Sequence, residues 1–492
     1  MARFFPFLLV LLLLMHLVMV VYLTFVVTAL FLATSADIAA VNLLAPKFTI
    51  PLHVVIACLF VAAFASAVLS YKRRFSRATP ANPPTEDTTE SRWNDALIAF
   101  MNFHQIGCQS YQAFVMFDGL TPTLFIHNHR VKTALANVED AVFCAVICGG
   151  HPLFSITKDV FKYVSIDPAM ANDNAWATEA ILTARMLVPT SVFDLLAKLV
   201  MYITTLYSLR HAMLDLCDAC RTDPTKYSSD PSRRRRRFLK VNAFLCGAWG
   251  VVFSGLIIQA VGFRIACPSY CFTHSYPMLD LSCHCIYTHV NCAQLGIGNP
   301  IPLLSTDKIG TSLFYLEMSR CPFLRDGLAK ETLAPFEQLN QIALLFSDME
   351  TWNGPLPSTI NGVDIRYSNL RSIPNVFLQE IPDALATIQI EVCPLGQIPE
   401  SVFEHWSHID KLELINVSLT SVPSGLLSME NLQYANLRVN HLDQIPWSLA
   451  QSDVTMDLSG NPIPATTEVM DASLLASRQV IVDGTRCVIR PK

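Results

Sequence analysis

The chain has 492 residues, of which 52% are hydrophobic and only 15% are charged, and its formal net charge is −5. This composition excludes an ordinary soluble multidomain protein, because such proteins carry more charge and fewer apolar side chains. The sequence therefore indicates a membrane protein, in which the long apolar segments decide the topology.

Residues 1–75 contain two predicted transmembrane helices. The first runs from Phe4 to Leu32 without a charged residue. It is about twice as long as the apolar core of a secretory signal, which favours an uncleaved anchor over cleavage near Ala36. The second covers Ile50 to Tyr71, and either segment can cross a hydrocarbon layer about 30 Å thick. A Pro/Thr-rich linker, residues 76–93, follows.

Residues 94–240 are predicted to be mostly helical and either cytosolic or apposed to the membrane. Two weaker apolar segments lie in this region, at Ala141 to Thr157 and at Met186 to Leu209. The second contains Asp194 and Lys198 at a spacing that places both on one helix face. Either the two segments are buried or interfacial helices, or together they form one additional spanning hairpin.

A third transmembrane helix is predicted at residues 241–263. Basic clusters flank the strong spans, between Lys72 and Arg77 and between Arg233 and Arg237. Because Lys and Arg accumulate on the cytoplasmic side of membranes, the amino terminus is expected inside and everything after Phe263 outside. Three or five spans give this orientation, whereas four would place the carboxyl-terminal part in the cytosol.

Residues 264–310 form a Cys-rich segment. Eight of the chain's 15 cysteines lie beyond Phe263, an even number that indicates a disulfide framework in an oxidising compartment. A zinc site that uses His274, His284 or His289 is the alternative, but the spacing lacks the paired C-x2-C arrangement of structural zinc modules. The pairing of the cysteines stays open. The disulfide candidates are Cys267, Cys271, Cys283, Cys285 and Cys292.

Residues 311–470 carry six copies of the spacing L-x-x-L-x-L-x-x-N-x-L, with a seventh, degenerate copy at "LFYLEMSRCPF". This is the spacing of a leucine-rich repeat, whose units stack because a single coil cannot bury its apolar side alone. The predicted fold is therefore mixed: a polytopic α-helical membrane region followed by a short α/β leucine-rich repeat solenoid, with a carboxyl-terminal cap at 471–492. The last residue of each L-x-L pair is Leu344, Ile365, Ile390, Leu414, Leu437 and Leu458.

One position of each repeat is expected to be buried between adjacent coils. Asn440 and Asn461 occupy it, and their side-chain amides can satisfy backbone groups there. Cys321 and Cys393 fall at the same position, so we predict reduced core thiols rather than disulfide partners. Cys487 is assigned to the carboxyl-terminal cap.

Two residues of each repeat are expected on the concave face, because side chains alternate along a strand. The resulting strip is polar and of mixed charge, which favours a binding surface for a protein, peptide or glycan over a merely solvated face. The sequence "NVS" makes Asn416 a glycosylation acceptor if the repeats are lumenal or extracellular. The candidate ligand-binding residues are Asp364, Arg366, Gln389, Glu391, Glu413, Asn436, Arg438 and Asp457.

Several spans, the pattern C-x11-C-x-C-x6-C from Cys271 to Cys292 and a short terminal repeat array resemble the multi-pass leucine-rich repeat membrane proteins of oomycetes. The resemblance covers roughly the last half of the chain. It implies a role in surface recognition or adhesion and supplies no catalytic residues.

The sequence contains no phosphate-binding loop, kinase signature, G-x-S-x-G elbow or H-E-x-x-H motif. We therefore expect a non-enzymatic protein without cofactor or metal. The expected partners are membrane lipid, a protein, peptide or glycan ligand and a membrane signalling partner, but no nucleic acid, and the expected location is the plasma membrane. The alternative is a channel, transport-associated protein or scaffold with cytosolic repeats, in which Asp194 and Lys198 line a pathway.

Overall fold

The computed structural model of the chain divides into two compact units. The helical unit holds most of the residues up to Arg264, and the sheet unit holds most of the residues beyond it. Cys487, the basic cluster at 233–237, nearly all of the linker 76–93 and much of the region 94–240 lie outside the described residues. The structure describes residues 5–33, 35–76, 142, 145–166, 173–219, 248, 251–252, 254–277, 279–379, 381–446, 449, 454–464 and 479–485.

The helical unit contains three helices that are long and apolar enough to cross a membrane, at Phe7–Leu32, Pro46–Leu69 and Val192–Met213. A helix suits these apolar segments because it pairs all of its own backbone N–H and C=O groups, as the interior of a bilayer requires. The helices of this unit are α1 (Phe5–Leu32), α2 (Ser35–Val41), α3 (Pro46–Ser76), α4 (His151–Phe161), α5 (Asn174–Leu187) and α6 (Val192–Ala219), with π-helical turns at Val146–Gly150 and Lys162–Ile166.

The first two predicted spans coincide with α1 and α3, and α1 packs against both α3 and α6. Of the two weaker segments, the one predicted at Met186 to Leu209 contains a helix of spanning length. That helix begins only at Val192, because the preceding segment with Pro189 is non-helical. The third predicted span, 241–263, is helical at 254–262 and lies partly outside the described residues.

The sheet unit is built on one ten-stranded sheet whose strands follow chain order. The first strand runs antiparallel to the second, and all later neighbours are parallel. The strands are β1 (Cys271–Ser275), β2 (His284–Asn291), β3 (Tyr315–Ser319), β4 (Gln341–Leu345), β5 (Gly362–Arg366), β6 (Thr387–Glu391), β7 (Lys411–Ile415), β8 (Tyr434–Asn436), β9 (Thr455–Asp457) and β10 (Val480–Ile481).

One continuous apolar core runs from Tyr270 to Val480 beneath this sheet. All six residues at the predicted leucine positions are fully buried in it. The connections between strands carry short helical segments: α7 (Cys292–Leu295), α8 (Thr306–Ile309), α9 (Lys330–Leu333), α10 (Ser401–His405) and 3-10 turns at Ile301–Leu304, Pro322–Asp326, Asn375–Phe377 and Ser424–Ser428.

Two buried tryptophans fill the core behind the strands. The indole N–H groups of Trp352 and Trp406 donate to the carbonyl oxygens of Leu328 and Phe377 at 2.8 and 2.9 Å, so neither ring buries an unpaired donor. Gly327 is required beside the first ring, because its φ is +74° and a Cβ there would lie 2.5 Å from the Trp352 ring.

The two asparagines predicted between adjacent coils make the expected contacts. Asn440 Oδ1 accepts from Val417 N at 2.9 Å, and its Nδ2 donates to the carbonyl oxygens of Leu414 at 2.7 Å and Leu437 at 3.0 Å. Asn461 Nδ2 also donates to the Leu437 carbonyl, at 2.9 Å. Each amide therefore pairs backbone groups of neighbouring strands that the core would otherwise leave unsatisfied.

A residue in the left-handed conformation follows each of the strands β3 to β8, with φ between 51° and 56°. This conformation costs a non-glycine residue about 1–2 kcal/mol, and the sheet imposes it because each amide bonds the neighbouring strand. For example, Phe346 N donates to Arg366 O at 2.8 Å. We call these residues the edge ladder: Arg320, Phe346, Tyr367, Val392, Asn416 and Val439.

Three disulfides join the five candidate cysteines and one more: Cys267–Cys283, Cys271–Cys285 and Cys292–Cys321. The prediction of a reduced Cys321 is wrong. The Cys-rich segment is part of the same sheet, and β2 lies directly beside β3, so the residues after the two strands face each other. Cys393 is a free, buried thiol as predicted, and burial raises its pKa to about 11.

The bond between Cys292 and Cys321 closes a loop with a sequence separation of 29 residues. We expect Cys321→Ser to lower the free energy of unfolding by about 3–4 kcal/mol, the loop entropy that such a bond removes from the unfolded chain. Alkylation of the denatured chain without reductant, followed by peptide mapping, should modify Cys393 and leave Cys321 unmodified. Alkylation of Cys321 under these conditions would contradict the pairing.

Replacement of Asn440 by Ala leaves buried backbone groups without partners. We expect a loss of about 3 kcal/mol in the free energy of unfolding, because each buried unsatisfied group costs about 1–3 kcal/mol. Urea denaturation followed by tryptophan fluorescence measures this loss. The exposed Asn431 supplies the control, and Asn431→Ala should change stability by less than about 0.5 kcal/mol. Equal effects of the two variants would refute the role of Asn440.

Candidate binding face of the sheet

Alternate side chains of the parallel strands point away from the core and form the open face of the sheet. The aligned registers group them into rows, and the eight predicted ligand-binding residues fall in two of these rows. The central row is His289, Glu317, Ala343, Asp364, Gln389, Glu413, Asn436 and Asp457. The next row is Asn291, Ser319, Leu345, Arg366, Glu391 and Ile415, followed along the sheet by Arg438 and Ser459.

Arg366 is held between two carboxylates in the middle of the open face. Its Nε lies 2.9 Å from Asp364 Oδ1, and its Nη2 lies 2.7 Å from Asp364 Oδ2. Glu391 Oε2 lies 3.5 Å from the same Nε and accepts from Gln389 Nε2 at 3.4 Å. The guanidinium is thus fixed by two strands at once, which limits the entropy that it would lose on binding a ligand.

The same arrangement recurs toward the carboxyl end of the sheet. Glu413 pairs with Lys411 and accepts from Asn436 Nδ2 at 2.9 Å, and Arg438 Nε lies 3.8 Å from Asp457 Oδ2. A depression of about 470 Å³, lined in part by Arg438 and Asp457, adjoins this pair. The open face therefore carries ion pairs at both places, with neutral amide side chains between some of them.

The polar residues of the open face form a buried layer and an exposed layer. Glu413, Asn436 and Asp457 are buried, although the sequence predicts them on an accessible strip. The side chains of Arg366, Lys411 and Arg438 are 38%, 46% and 51% exposed. Long aliphatic stems carry the cationic groups outward, whereas the shorter acidic side chains stay beneath them. The accessible charges of these three pairs are therefore basic, and Lys411 is one that the sequence did not indicate as a ligand residue.

Burial raises the pKa of the Asp364 carboxyl to about 6, although the Arg366 guanidinium acts in the opposite direction. The carboxylates of Glu391 and Glu413 add to the increase. Burial also raises the pKa of the neighbouring Tyr315 phenol. The charge of the open face consequently changes near pH 6.

A polar cluster at the first strands extends the open face beyond the predicted residues. Tyr287 donates its hydroxyl to Glu317 Oε2 at 2.7 Å, and His289 Nε2 lies 3.5 Å from Glu317 Oε1 and 2.9 Å from Ser319 Oγ. Glu317 and Ser319 lie on β3, whose repeat is degenerate. No repeat pattern covers β2, so the sequence does not predict Tyr287 and His289 as ligand residues. Strand alternation within "HCIYTHVN" is the one signal that points to them.

The edge ladder adds an apolar border to the open face. Phe346 and Tyr367 are 48% and 44% exposed. Their rings stack with centroids 4.3 Å apart at an interplanar angle of 9°, and the Arg320 guanidinium lies 5.7 Å from the Phe346 centroid. Asn416, the predicted glycosylation acceptor, is exposed on the same ladder. Sequence patterns for strands do not cover this ladder, because its residues follow the strands.

The sulfur atoms of Cys267, Cys271 and Cys283 lie within 4.8 Å of one another, close enough to hold a metal ion. All three belong to disulfides, and a disulfide sulfur lacks the thiolate that zinc requires. His284 and His289 instead bond Ser312 and Ser319 on β3 or before it. The geometry of these residues therefore favours the disulfide framework over the zinc alternative.

The charged pair of the helical unit has a local set of partners. Lys198 Nζ lies 2.8 Å from Asp194 Oδ2, as the predicted shared helix face requires, and 2.8 Å from Val188 O. Asp194 Oδ2 also accepts from Thr190 N at 3.1 Å. Both side chains are buried in the first two turns of α6 and tie the helix to the segment before it.

Comparison with protein families finds no match, and comparison with curated proteins finds none. Among solved structures, the chain is similar to an internalin from Listeria monocytogenes, with 14% identity and a TM-score of 0.27. The match covers 38% of this chain and 52% of the internalin chain, so the chain spans about half the length of that protein. A likeness at this TM-score says nothing about what the chain binds.

The raised pKa of Asp364 predicts a specific dependence of stability on pH. Between its ordinary value of 3.8 and about 6, the folded chain holds a proton on Asp364 that the unfolded chain has released. Lowering the pH through this window should therefore stabilise the wild type relative to Asp364→Asn. Urea midpoints of both proteins at about pH 7 and about pH 4 test the sign. A difference that stays constant, or that shifts toward Asp364→Asn on acidification, would contradict it.

Proposed function

We propose that the chain is a non-enzymatic, multi-pass membrane protein that presents a leucine-rich repeat solenoid outside the plasma membrane and binds a protein, peptide or glycan on its concave face. The observation that carries this proposal is the two-layered charge of the open face. Three exposed basic side chains stand on β5, on β7 and just after β8, and acidic side chains beneath them fix their positions.

Several observations of the sheet unit support a solenoid. Its parallel strands follow chain order, each beside the next, with one continuous core beneath them. Buried asparagines link successive units, and the repeated spacing supplies the apolar side chains. In such an architecture the open face becomes an extended concave surface, which is the usual place for a ligand.

The disulfides support placement outside the cytosol. Three bonds close the first strands of the sheet unit, and such bonds persist in oxidising compartments. The basic clusters that flank the apolar segments favour the same side. Membrane lipid is then a constant partner of the helical unit, and signalling would require a membrane partner. A role in surface recognition or adhesion, like that implied by the resemblance to oomycete proteins, fits this arrangement.

The alternative of a channel or transport-associated protein depends on Asp194 and Lys198 lining a pathway. Their hydrogen bonds to the backbone at Val188 and Thr190 support a different role, in which the pair fixes the start of α6. A scaffold with cytosolic repeats would also place the disulfides in a reducing compartment. Both observations favour the extracellular binding proposal.

Selection from a phage-displayed peptide library against the full chain in lipid nanodiscs tests the binding face. We expect the selected peptides to lose about tenfold or more in affinity for the double variant Arg366→Ala/Arg438→Ala, because two of the three exposed cations are removed from the open face. The control is Arg325→Ala, an exposed arginine on a strand connection that pairs with Glu350. Equal losses for the control, or unchanged binding to the double variant, would move the site away from the open face.

A further inference from the structure

The aromatic stack of the edge ladder has two different ends. The Arg320 guanidinium covers the outer side of the Phe346 ring, at 5.7 Å from its centroid, and the inner side of that ring stacks on Tyr367. Neighbouring ladder residues are one strand apart, and strands lie about 4.8 Å from each other. Tyr367 is 44% exposed although Phe346 covers one face of its ring, so its accessible surface lies on the ring edge and on the second face, which is directed along the ladder toward Val392.

Asn416 is the next ladder residue after Val392. It follows β7, two strands beyond Tyr367, and therefore lies about 10 Å from it along the ladder. Asn416 and Ser418 are exposed, and together with Val417 they form the sequon. A sugar attached to Asn416 would thus begin beside Val392, which leads along the ladder to the exposed ring face of Tyr367.

We propose that an N-linked glycan on Asn416 lies along the edge ladder and covers Val392 and the exposed ring face of Tyr367. The C–H face of a pyranose ring is apolar and fits the electron-rich face of a phenol. Two sugar residues suffice to span the distance of about 10 Å between Asn416 and Tyr367. The glycan would shield an apolar border that is otherwise exposed to solvent.

This inference rests on the extracellular placement in the proposed function, because N-linked glycans are added only on the lumenal side. It also refines that function. The edge ladder would be occupied by the chain's own sugar, and the exposed cations of the open face would remain free for a ligand.

Hydroxyl-radical footprinting of the full chain, expressed in a eukaryotic cell and held in nanodiscs, measures whether the glycan shields Tyr367 from solvent. We expect labelling of Tyr367 to rise about threefold in Asn416→Gln and in Ser418→Ala, because loss of the glycan exposes a ring face. Two variants are used because each removes the sequon through a different side chain. Labelling of Phe323, an exposed aromatic on a strand connection, should not change.

An engineered sequon separates failure of this inference from failure of the proposed function. Gln433→Ser completes a second sequon at Asn431, and both side chains are exposed. Glycosylation is measured as the change in electrophoretic mobility after endoglycosidase treatment. Glycosylation at Asn431 but not at Asn416 would overturn the inference and leave the extracellular placement intact. Glycosylation at neither position would overturn both.

A glycan that is present on Asn416 but leaves the labelling of Tyr367 unchanged on removal would also overturn the inference. In that case, strong labelling in both forms means that the ladder is open to solvent. Weak labelling in both forms means that another partner covers it. Conversely, a rise at Tyr367 in both sequon variants, with Phe323 unchanged, establishes the glycan as the occupant.

Discussion

Hydrogen bonding between consecutive parallel strands is the constraint on which the rest of the sheet unit depends. One register runs from β2 to β9 and sends alternate side chains into the core or onto the open face. The same bonding continues past the strand ends and forces the ladder residues into the left-handed conformation. A shift of the strand register by one residue would exchange the buried and exposed side chains and break the ion pairs of the open face.

The charged groups of the open face depend on this register as well. Arg366 reaches Asp364 on its own strand and Glu391 on the next, and Asn436 reaches Glu413 across a strand boundary. Because the acidic groups are largely buried, each needs its partner to offset the cost of desolvation. The basic groups keep their ends in water, so the face combines fixed geometry with accessible charge.

Much of the sheet unit could be predicted because its signals are local. The L-x-x-L-x-L spacing placed Leu344 and its equivalents in the core, and alternation placed Arg366 and its equivalents on the open face. Other features depend on neighbours that a single repeat does not reveal. The burial of Glu413 follows from the strands on both sides, and the bond of Cys321 follows from β2, which carries no repeat pattern. Strand periodicity ends before the edge ladder and therefore makes no prediction for its residues. The exposed Tyr367 is one of them.

The proposed topology places the sheet unit outside the membrane and the amino terminus inside. Antibody binding to epitope tags at the two termini of the full chain, in intact and in permeabilised cells, tests it most directly. This topology predicts that the carboxyl-terminal tag is stained in intact cells and that the amino-terminal tag is stained only after permeabilisation. Staining of the carboxyl-terminal tag only after permeabilisation would refute this topology and favour a scaffold or channel with cytosolic repeats.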